Sequence, residues 1–120
     1  MEIVTKRIYQ PAVDGDGFRV LVDRLWPRGV SKERARLDLW DKEAAPSTQL
    51  RQWWGHDLNS FDEFERRYRA ELDASGAAAQ LLVQLQGQDR VTLLYAANTA
   101  DNNASVLVDY LGQLQGRSEP

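Results

Sequence analysis

The chain has 120 residues, of which 42% are hydrophobic and 28% are charged, a composition that predicts one globular domain and argues against disorder. It contains no cysteine, so disulfides, zinc–thiolate sites and thiol nucleophiles are excluded. Its net charge is −3, which disfavours a general duplex-binding protein, because such proteins normally have a strongly basic face.

The charge is unevenly distributed along the chain. Residues 1–36 contain eight Lys or Arg residues and five acidic ones, whereas residues 37–120 have a net charge of −6. This pattern is compatible with a local arginine-rich pocket for a small anion. Lys6 and Arg7 lie where a signal peptide would have its apolar run, and no apolar stretch reaches the length of a membrane span. We therefore expect a cytoplasmic protein with no membrane partner.

Two strands are predicted near the N-terminus. Residues 3–9 are rich in β-branched side chains, and residues 18–25 contain the apolar run Val20, Leu21 and Val22, as expected of a strand covered on both faces. The loop between them is too short for a helical crossover. The two strands therefore form an antiparallel edge pair or are not neighbours in the sheet.

Capping residues predict two helices after the second strand. Ser31 can cap a short helix that ends near residue 36, and residues 37–40 are predicted to be extended. Ser47 can cap the next helix, which Gly55 ends.

A longer helix is predicted after residue 60. Ser60 and Glu63 have the spacing of a capping box. The helix has one apolar stripe, formed by Phe61, Phe64, Tyr68 and Leu72. Gly76 breaks this helix, and residues 77–85 are predicted to form another.

The third clear strand spans residues 90–97 and is almost wholly apolar. Asp101 or Asn102 can cap a last helix. The buried face of that helix is formed by Ala104, Leu107, Val108, Leu111 and Leu114. We expect residues 112–120 to be a frayed tail.

These elements predict a single α/β domain over residues 1–120, with a small, mostly parallel sheet of three to four strands covered by helices on both faces. Ligands of open parallel sheets bind outside the carboxyl ends of the strands. Residues 23–29 and residues 95–103 follow two buried strands at that position. If those strands are neighbours, the two turns face one another.

The first of these turns has the residues of an anion site. Arg24 and Arg28 offer planar guanidinium groups suited to a carboxylate or phosphate, and Trp26 offers a flat apolar wall. Asp23 could orient Arg24 or act as a general base. The structural alternative is an Asp23–Arg24 ion pair that closes the strand end, with Trp26 in the core.

The second turn is polar and leads into a helix, whose free N–H groups favour an anion. Tyr95, Asn98 and Asn102 are the candidate ligand-binding residues here, with Asn103 as a further polar group. Helix capping by Asp101 or Asn102 is the structural alternative, and it explains one of these residues.

His56 is the only histidine, and it is the second candidate catalytic residue beside Asp23, with Asp57 able to tune it. A histidine at the end of a helix can also simply compensate the helix dipole. One imidazole is too few ligands for zinc, whereas magnesium at Asp23 or Asp101 stays open. We assign no metal site. No phosphate loop or dinucleotide fingerprint is present, so the cofactor is unknown.

Several short strings resemble the YeaO-like family, a domain of unknown function also called DUF488. They are KRIY (residues 6–9), VLVDRLWPRG (20–29), APST (45–48) with Leu50 and Arg51, GHD (55–57) and LLYAA (93–97). The resemblance runs from about residue 5 to residue 111, and the DRLWPRG string makes it specific.

The resemblance implies a compact bacterial α/β protein in the cytoplasm, with no established activity, cofactor or catalytic residue. It also indicates one departure. Family members commonly have a histidine just before the asparagine that opens the last helix, and Asp101 occupies that place here. A proton-transfer role for such a histidine would therefore have to pass to His56.

Two classes of function fit the sequence. The first is a protein or enzyme that binds a small anion, nucleotide-like or phosphorylated, at the carboxyl ends of the central strands. The alternative is a non-enzymatic regulatory module for a protein or nucleic-acid partner, suggested by the five arginines between Arg19 and Arg36. A homodimer through Trp40, Trp53 or Trp54 is a further alternative.

Overall fold

A computed structural model describes residues 1–118, and the side chains of residues 1–116. Four strands form one sheet: β1 (Glu2–Arg7), β2 (Phe18–Leu21), β3 (Leu39–Trp40) and β4 (Arg90–Tyr95). Their order is β1-β4-β2-β3, and every neighbouring pair is parallel. The predicted α/β class is therefore confirmed.

The position of β4 explains the short loop between β1 and β2. β4 lies between these two strands, so that Val91 is in register with Ile3 on one side and with Phe18 on the other. The non-adjacent alternative is thus correct, and the antiparallel edge pair is wrong. Because β2 and β4 are neighbours, the turns that follow them leave the same edge of the sheet side by side.

The described residues also form five α-helices: α1 (Lys32–Ala35), α2 (Thr48–Trp54), α3 (Phe61–Ser75), α4 (Ala77–Gln84) and α5 (Asn103–Ser118). Each was expected within a few residues of these bounds. The exception is the C-terminal end of α5, which continues to Ser118 through the segment we expected to fray from residue 112. The last two residues of that segment, 119 and 120, lie outside the described part of the chain. None of the described helices is long and apolar enough to span a bilayer.

Most of the predicted caps are present. The Ser31 hydroxyl accepts a hydrogen bond from the Arg34 N–H at the start of α1, and the Ser47 hydroxyl accepts one from the Leu50 N–H at the start of α2. These bonds pair backbone donors that a helix start otherwise leaves without partners.

The predicted Ser60 capping box is wrong. Ser60 has φ −103° and ψ 12° rather than the extended geometry of an N-cap, and its hydroxyl donates to Asp57 Oδ2 at 3.2 Å. The Asp57 carboxylate caps a separate 3-10 turn over Leu58–Ser60 that leads into α3. Glu63 pairs instead with Arg66 and Arg67.

The two central strands, β2 and β4, are buried on both faces, as their apolar runs predicted. Along β2 and the residue that follows it, side chains alternate between the faces, with Val20 and Val22 on one and Leu21 on the other. The larger core packs α2–α5 against the first face and includes Phe64, Tyr68, Leu72, Leu81, Val91, Leu93, Leu107 and Leu111. The smaller core includes Ile8, Leu21, Val30, Ala35 and Leu94, with Trp26 and Trp40 packed against it.

A buried ion-pair network connects β1, β2 and the 3-10 turn Asp14–Asp16 that precedes β2. Arg19 Nη1 is 2.6 Å from Asp16 Oδ2, and Lys6 Nζ is 3.0 Å from Asp16 Oδ1. The Asp16 and Arg19 residues are only 6% and 4% exposed. Burial acts to raise the pKa of Asp16, but hydrogen bonds from the Val13 N–H, Lys6 and Arg19 outweigh it, so that the pKa lies below its ordinary value. Arg19 therefore belongs to the interior and not to a surface patch.

Tyr68 ties α3 to the segment that precedes α2. Its ring is fully buried, and its hydroxyl donates a hydrogen bond to the Ala44 carbonyl. Burial raises the pKa of Tyr68 well above its ordinary value, so the hydroxyl stays a donor.

Replacing Tyr68 by phenylalanine is expected to lower the free energy of unfolding by about 1–2 kcal/mol, because the buried Ala44 carbonyl loses its partner. Urea denaturation measures this change. Tyr110→Phe serves as the comparison, since the Tyr110 hydroxyl donates to Asp73 at an exposed position where water can replace the bond. Equal losses in the two variants would contradict the assignment of a buried donor.

Candidate functional site

A cavity of about 360 Å³ opens at the carboxyl ends of β2 and β4. Its walls come from the turn after β2, from residues 96 and 97 after β4, from the end of α2 and from the start of α5. The two polar turns that the sequence singled out therefore meet, as the parallel arrangement of β2 and β4 requires. Asp23, Arg24, Trp26, Arg28 and His56 all line this cavity.

Asp23 joins the two turns. The Ala96 N–H donates to its Oδ2 at 2.9 Å, and Asn103 Nδ2 donates to its Oδ1 at 3.0 Å. The same Asn103 amide donates to the Val22 carbonyl at 2.9 Å. The Trp40 indole donates to the Asp23 carbonyl at 2.7 Å. Asp23 thus connects β2, the end of β4 and the first residue of α5.

The charge of Asp23 is poorly compensated. Burial raises the pKa of Asp23 above its ordinary value, while the hydrogen bonds from Asn103 and Ala96 and the charges of Arg51 and His56 act in the opposite direction. In the described part of the chain, Asp23 forms no ion pair. The carboxylate that lines the cavity is therefore held by neutral donors.

Arg24 does not pair with its neighbour Asp23. Its Nε donates to the Pro46 carbonyl at 3.0 Å, and its Nη2 donates to the Ala45 carbonyl at 3.4 Å. The structural alternative, an Asp23–Arg24 ion pair, is therefore wrong. Arg24 instead fastens the segment that leads into α2, and it lines the cavity from that position.

Arg28 and Arg51 are the two other arginines of the cavity. Within the described residues, neither guanidinium group forms a hydrogen bond or an ion pair, although Arg51 acts electrostatically on Asp23. The Tyr9 hydroxyl donates to the Arg28 carbonyl at 2.8 Å and so fixes the backbone of that turn. Two positive groups therefore face the cavity with their donors available.

Aromatic side chains form one wall. Trp54 is only 4% exposed, stacks on Phe64 at a centroid distance of 4.0 Å, and contacts the His56 ring at 4.9 Å. His56 follows Gly55 and has φ +61°, in the left-handed region that few non-glycine residues adopt. His56 is exposed and lines the cavity.

Trp26 also lines the cavity. Its indole N–H donates to the Val30 carbonyl at 2.7 Å. Its ring packs edge-to-face with that of Trp40, and the two ring centroids are 5.3 Å apart. Both tryptophans are half-buried. Of the adjacent pair on α2, Trp54 is buried, whereas Trp53 is 45% exposed beneath the guanidinium group of Arg67.

The remaining candidates of the second turn do not line the cavity. Asn102 is 1% exposed, and its Oδ1 accepts from the N–H groups of Ala104 and Ser105, so that it acts as the cap of α5. Tyr95 packs against the larger core, and Asn98 is exposed. Asn103, which the sequence offered only as a further polar group, is the asparagine at the cavity.

A family model described as the inactive DUF488-N3 subclade, DUF488-N3i, matches residues 2–119. The chain belongs to this family. The uncharacterized protein YeaO of Escherichia coli (strain K12) is 44% identical over 115 residues, which cover 95% of this chain and 100% of that relative. The uncharacterized proteins Mb3100c of Mycobacterium bovis and Rv3073c of Mycobacterium tuberculosis are each 43% identical over 106 residues, covering 88% of this chain and 89% of the relative. No solved structure matches the chain significantly.

Sequence reasoning missed two residues that complete the cavity of this DUF488-N3i chain. Arg51 lies one turn into α2, and only its place beside Leu50 in the family string drew attention to it. Tyr9 follows β1, and Arg7 lies over its ring at 4.7 Å while donating to the Ala96 and Ala97 carbonyls. Neither position could be assigned before the order of the strands was known.

The acidic and histidine side chains of this DUF488-N3i chain are scattered. Over the described residues, no group of three or more His, Asp or Glu side chains is arranged to hold a metal ion. The cavity is lined by three guanidinium groups, of which that of Arg24 is held by backbone carbonyls, and by one half-buried carboxylate, one imidazole and several aromatic rings.

Proposed function

We propose that this DUF488-N3i protein binds a small anionic molecule, nucleotide-like or phosphorylated, in the cavity at the carboxyl ends of β2 and β4. The observation that carries the proposal is the pair formed by Arg28 and Arg51, whose guanidinium groups line the cavity without an acidic partner in the described residues. A guanidinium group presents a planar fork of donors that fits a phosphate or carboxylate.

The surroundings of this pair support a ligand larger than a simple ion. The cavity volume of about 360 Å³ is within the range of small-molecule sites. Trp26, Trp54 and His56 add aromatic surface beside the two guanidinium groups, and the edge or face of an aromatic ring can pack against such walls. A phosphate attached to a ring or sugar would use both parts of the cavity.

Binding without turnover is favoured over catalysis. The family to which the chain belongs is described as inactive, and this supports a protein that retains a ligand. An enzymatic role would rest on Asp23 and His56, which line the same cavity. Asp23 is held by Ala96 and Asn103, an arrangement suited to orienting a ligand.

Removing either positive charge is expected to weaken binding by about 10- to 100-fold, because each guanidinium group would contribute about 1.5–3 kcal/mol through charge-assisted hydrogen bonds. The variants are Arg28→Gln and Arg51→Gln. Calorimetric titration with nucleoside monophosphates and sugar phosphates, selected by thermal shift, measures the change.

Arg90→Gln is the matched control. Arg90 pairs with Glu2 at the amino-terminal end of β4, away from the cavity. Its replacement by glutamine changes the net charge by the same amount as the two cavity variants do. Its affinity should equal that of the unmodified protein. Equal affinities for all three variants, or no stabilisation by any compound of the panel, would rule out the cavity as the anion site.

The alternative is a module that binds a protein or a nucleic acid. The contacts of its arginines weaken the support for it. Of the five arginines that suggested it, Arg19 is buried against Asp16 and Arg24 holds two backbone carbonyls. Arg28, Arg34 and Arg36 remain exposed. Binding of nucleic acid would weaken steeply with added salt, and this dependence separates the alternative from the small-molecule proposal.

A further inference from the structure

The cavity contains a negative group among its positive ones. Asp23 lines it together with Arg28 and Arg51, yet its carboxylate forms no ion pair within the described residues. The adjacent Arg24 is held by the Ala45 and Pro46 carbonyls and is not available to neutralise it. A purely anionic ligand would bring its charge close to a carboxylate that forms no ion pair in the described residues, although the charges of Arg51 and His56 act on it.

The hydrogen bonds of Asp23 leave acceptor capacity unused. Each carboxylate oxygen can accept about two hydrogen bonds. Oδ2 accepts one from the Ala96 N–H, and Oδ1 accepts one from the Asn103 amide. Both donors belong to the wall of the cavity, so they fix the orientation of the carboxylate without occupying all of its lone pairs.

The surroundings of Asp23 disfavour its charged form. Burial raises the pKa of Asp23, which means that the folded protein stabilises its charge less well than water does. A donor supplied from the cavity would restore that stabilisation. A carboxylate that the protein orients but does not neutralise is therefore arranged to accept from a ligand.

We propose that the ligand is bipolar: it carries an oxyanion that Arg28 and Arg51 bind and, on the same small molecule, an N–H donor that Asp23 binds. This inference rests on the proposed function and specifies its ligand class. The shared chemistry has two sources, namely a nucleotide with a donor edge on its base, or a phosphorylated or carboxylated amine with an ammonium group.

Matched pairs of probes test the donor separately from the anion. O-phosphoethanolamine and ethyl phosphate differ in an ammonium group, whereas guanosine 5′-monophosphate and purine riboside 5′-monophosphate differ in the donors of the base. We expect the donor-bearing member of at least one pair to bind about tenfold more tightly or better, as a hydrogen bond to a charged group implies. The pair that shows the difference identifies the source.

The ammonium pair is a demanding comparison. O-phosphoethanolamine has a lower net negative charge than ethyl phosphate, so a site that recognised only the anion would prefer ethyl phosphate. Tighter binding of the amine therefore requires a group such as Asp23 that recognises the positive end.

Asp23→Asn should abolish the preference within the pair while retaining or increasing the affinity for the donor-free probe, because the repulsion of the anion is removed. Asp14→Asn, an exposed acid of the loop before β2, is the control and should leave the preference unchanged. The preference for the donor-bearing probe is measured on the unmodified protein. It therefore tests the bipolar ligand even if Asp23→Asn fails to fold.

The outcomes for the two proposals are distinct. If no member of either pair binds, the proposed anion site itself is wrong. If probes bind but neither pair shows a preference for its donor-bearing member, the anion site stands and the bipolar ligand is ruled out. A preference that persists in Asp23→Asn would overturn the assignment of the donor to Asp23.

Discussion

Replacing Asp16 by alanine is expected to lower the free energy of unfolding by about 3–5 kcal/mol, the typical cost of removing one partner from a buried ion pair. Arg19 would keep its charge at 4% exposure with only the Ala35 carbonyl as a partner. Lys6 would lose its contact at 3.0 Å, and the Val13 N–H would lose its acceptor. Urea denaturation at neutral pH measures the loss.

Two comparison variants separate burial from charge. Glu2→Ala breaks the exposed pair with Arg90 and should cost less than about 1 kcal/mol. Adding Arg19→Met to Asp16→Ala removes the unpaired charge and should recover part of the stability, although the Ala35 carbonyl then loses its donors. A cost for Asp16→Ala no larger than that for Glu2→Ala would show that the network contributes little.

The same network predicts the response to acid. Because the pKa of Asp16 in the folded protein lies below its ordinary value of 3.8, the ionised carboxylate stabilises the fold at all pH values above about 4. This contribution is lost as the pH falls through the lower pKa of the folded state. The difference in stability between the unmodified protein and Asp16→Ala should therefore shrink below pH 4, which unfolding curves across that range would show.

Replacing Gly17 by alanine is expected to cost about 3 kcal/mol. A Cβ at this position would lie 2.3 Å from the Arg90 carbonyl oxygen, which is backbone and cannot rotate away. Gly17 also has φ +67°, a conformation that strains any side-chain-bearing residue. Relief of the overlap would require β2 and β4 to separate at their first residues.

Gly15→Ala is the matched control, two residues earlier in the same loop. No atom lies within 4 Å of its added Cβ, and its φ is not positive. This variant should be nearly neutral or slightly stabilising, because alanine restricts the unfolded chain. Similar melting temperatures for the two variants would contradict the close approach of Gly17 to the Arg90 backbone.

The location of the site could be predicted from sequence because it follows from one property of parallel sheets. Two apolar strands, each followed by a polar turn, indicate that the turns share an edge of the sheet. Asp23 and Ala96 meet there through a hydrogen bond of 2.9 Å. That inference needed only that β2 and β4 be neighbours, and it needed no side-chain detail.

The roles of single residues at that edge could not be predicted in the same way. Arg24 and Arg28 are four positions apart in one string, yet only Arg24 reaches the carbonyls of Ala45 and Pro46. Asn102 and Asn103 are adjacent, yet Asn102 caps α5 and Asn103 binds Asp23. Consecutive residues at a helix start point in different directions, so a shift of the helix start by one residue would exchange these roles. Such choices depend on tertiary distances, for which a single sequence contains no signal.

Ser60 shows the same limit for local structure. Its spacing to Glu63 satisfies the capping-box pattern, but the Asp57 carboxylate competes for its hydroxyl, and Glu63 binds Arg66 and Arg67. The spacing of Ser60 and Glu63 alone does not indicate that Asp57, three positions upstream, binds the Ser60 hydroxyl.

The central place of β4 has a consequence for how the protein is made. β4 is the strand that pairs with both β1 and β2, and it begins only at Arg90. Until the ribosome has synthesised residues 90–95, β1 has no strand partner and β2 has only the two-residue β3. The nascent polypeptide must therefore keep its apolar strands exposed until β4 has emerged, and the sheet forms when β4 inserts between strands that were made long before it.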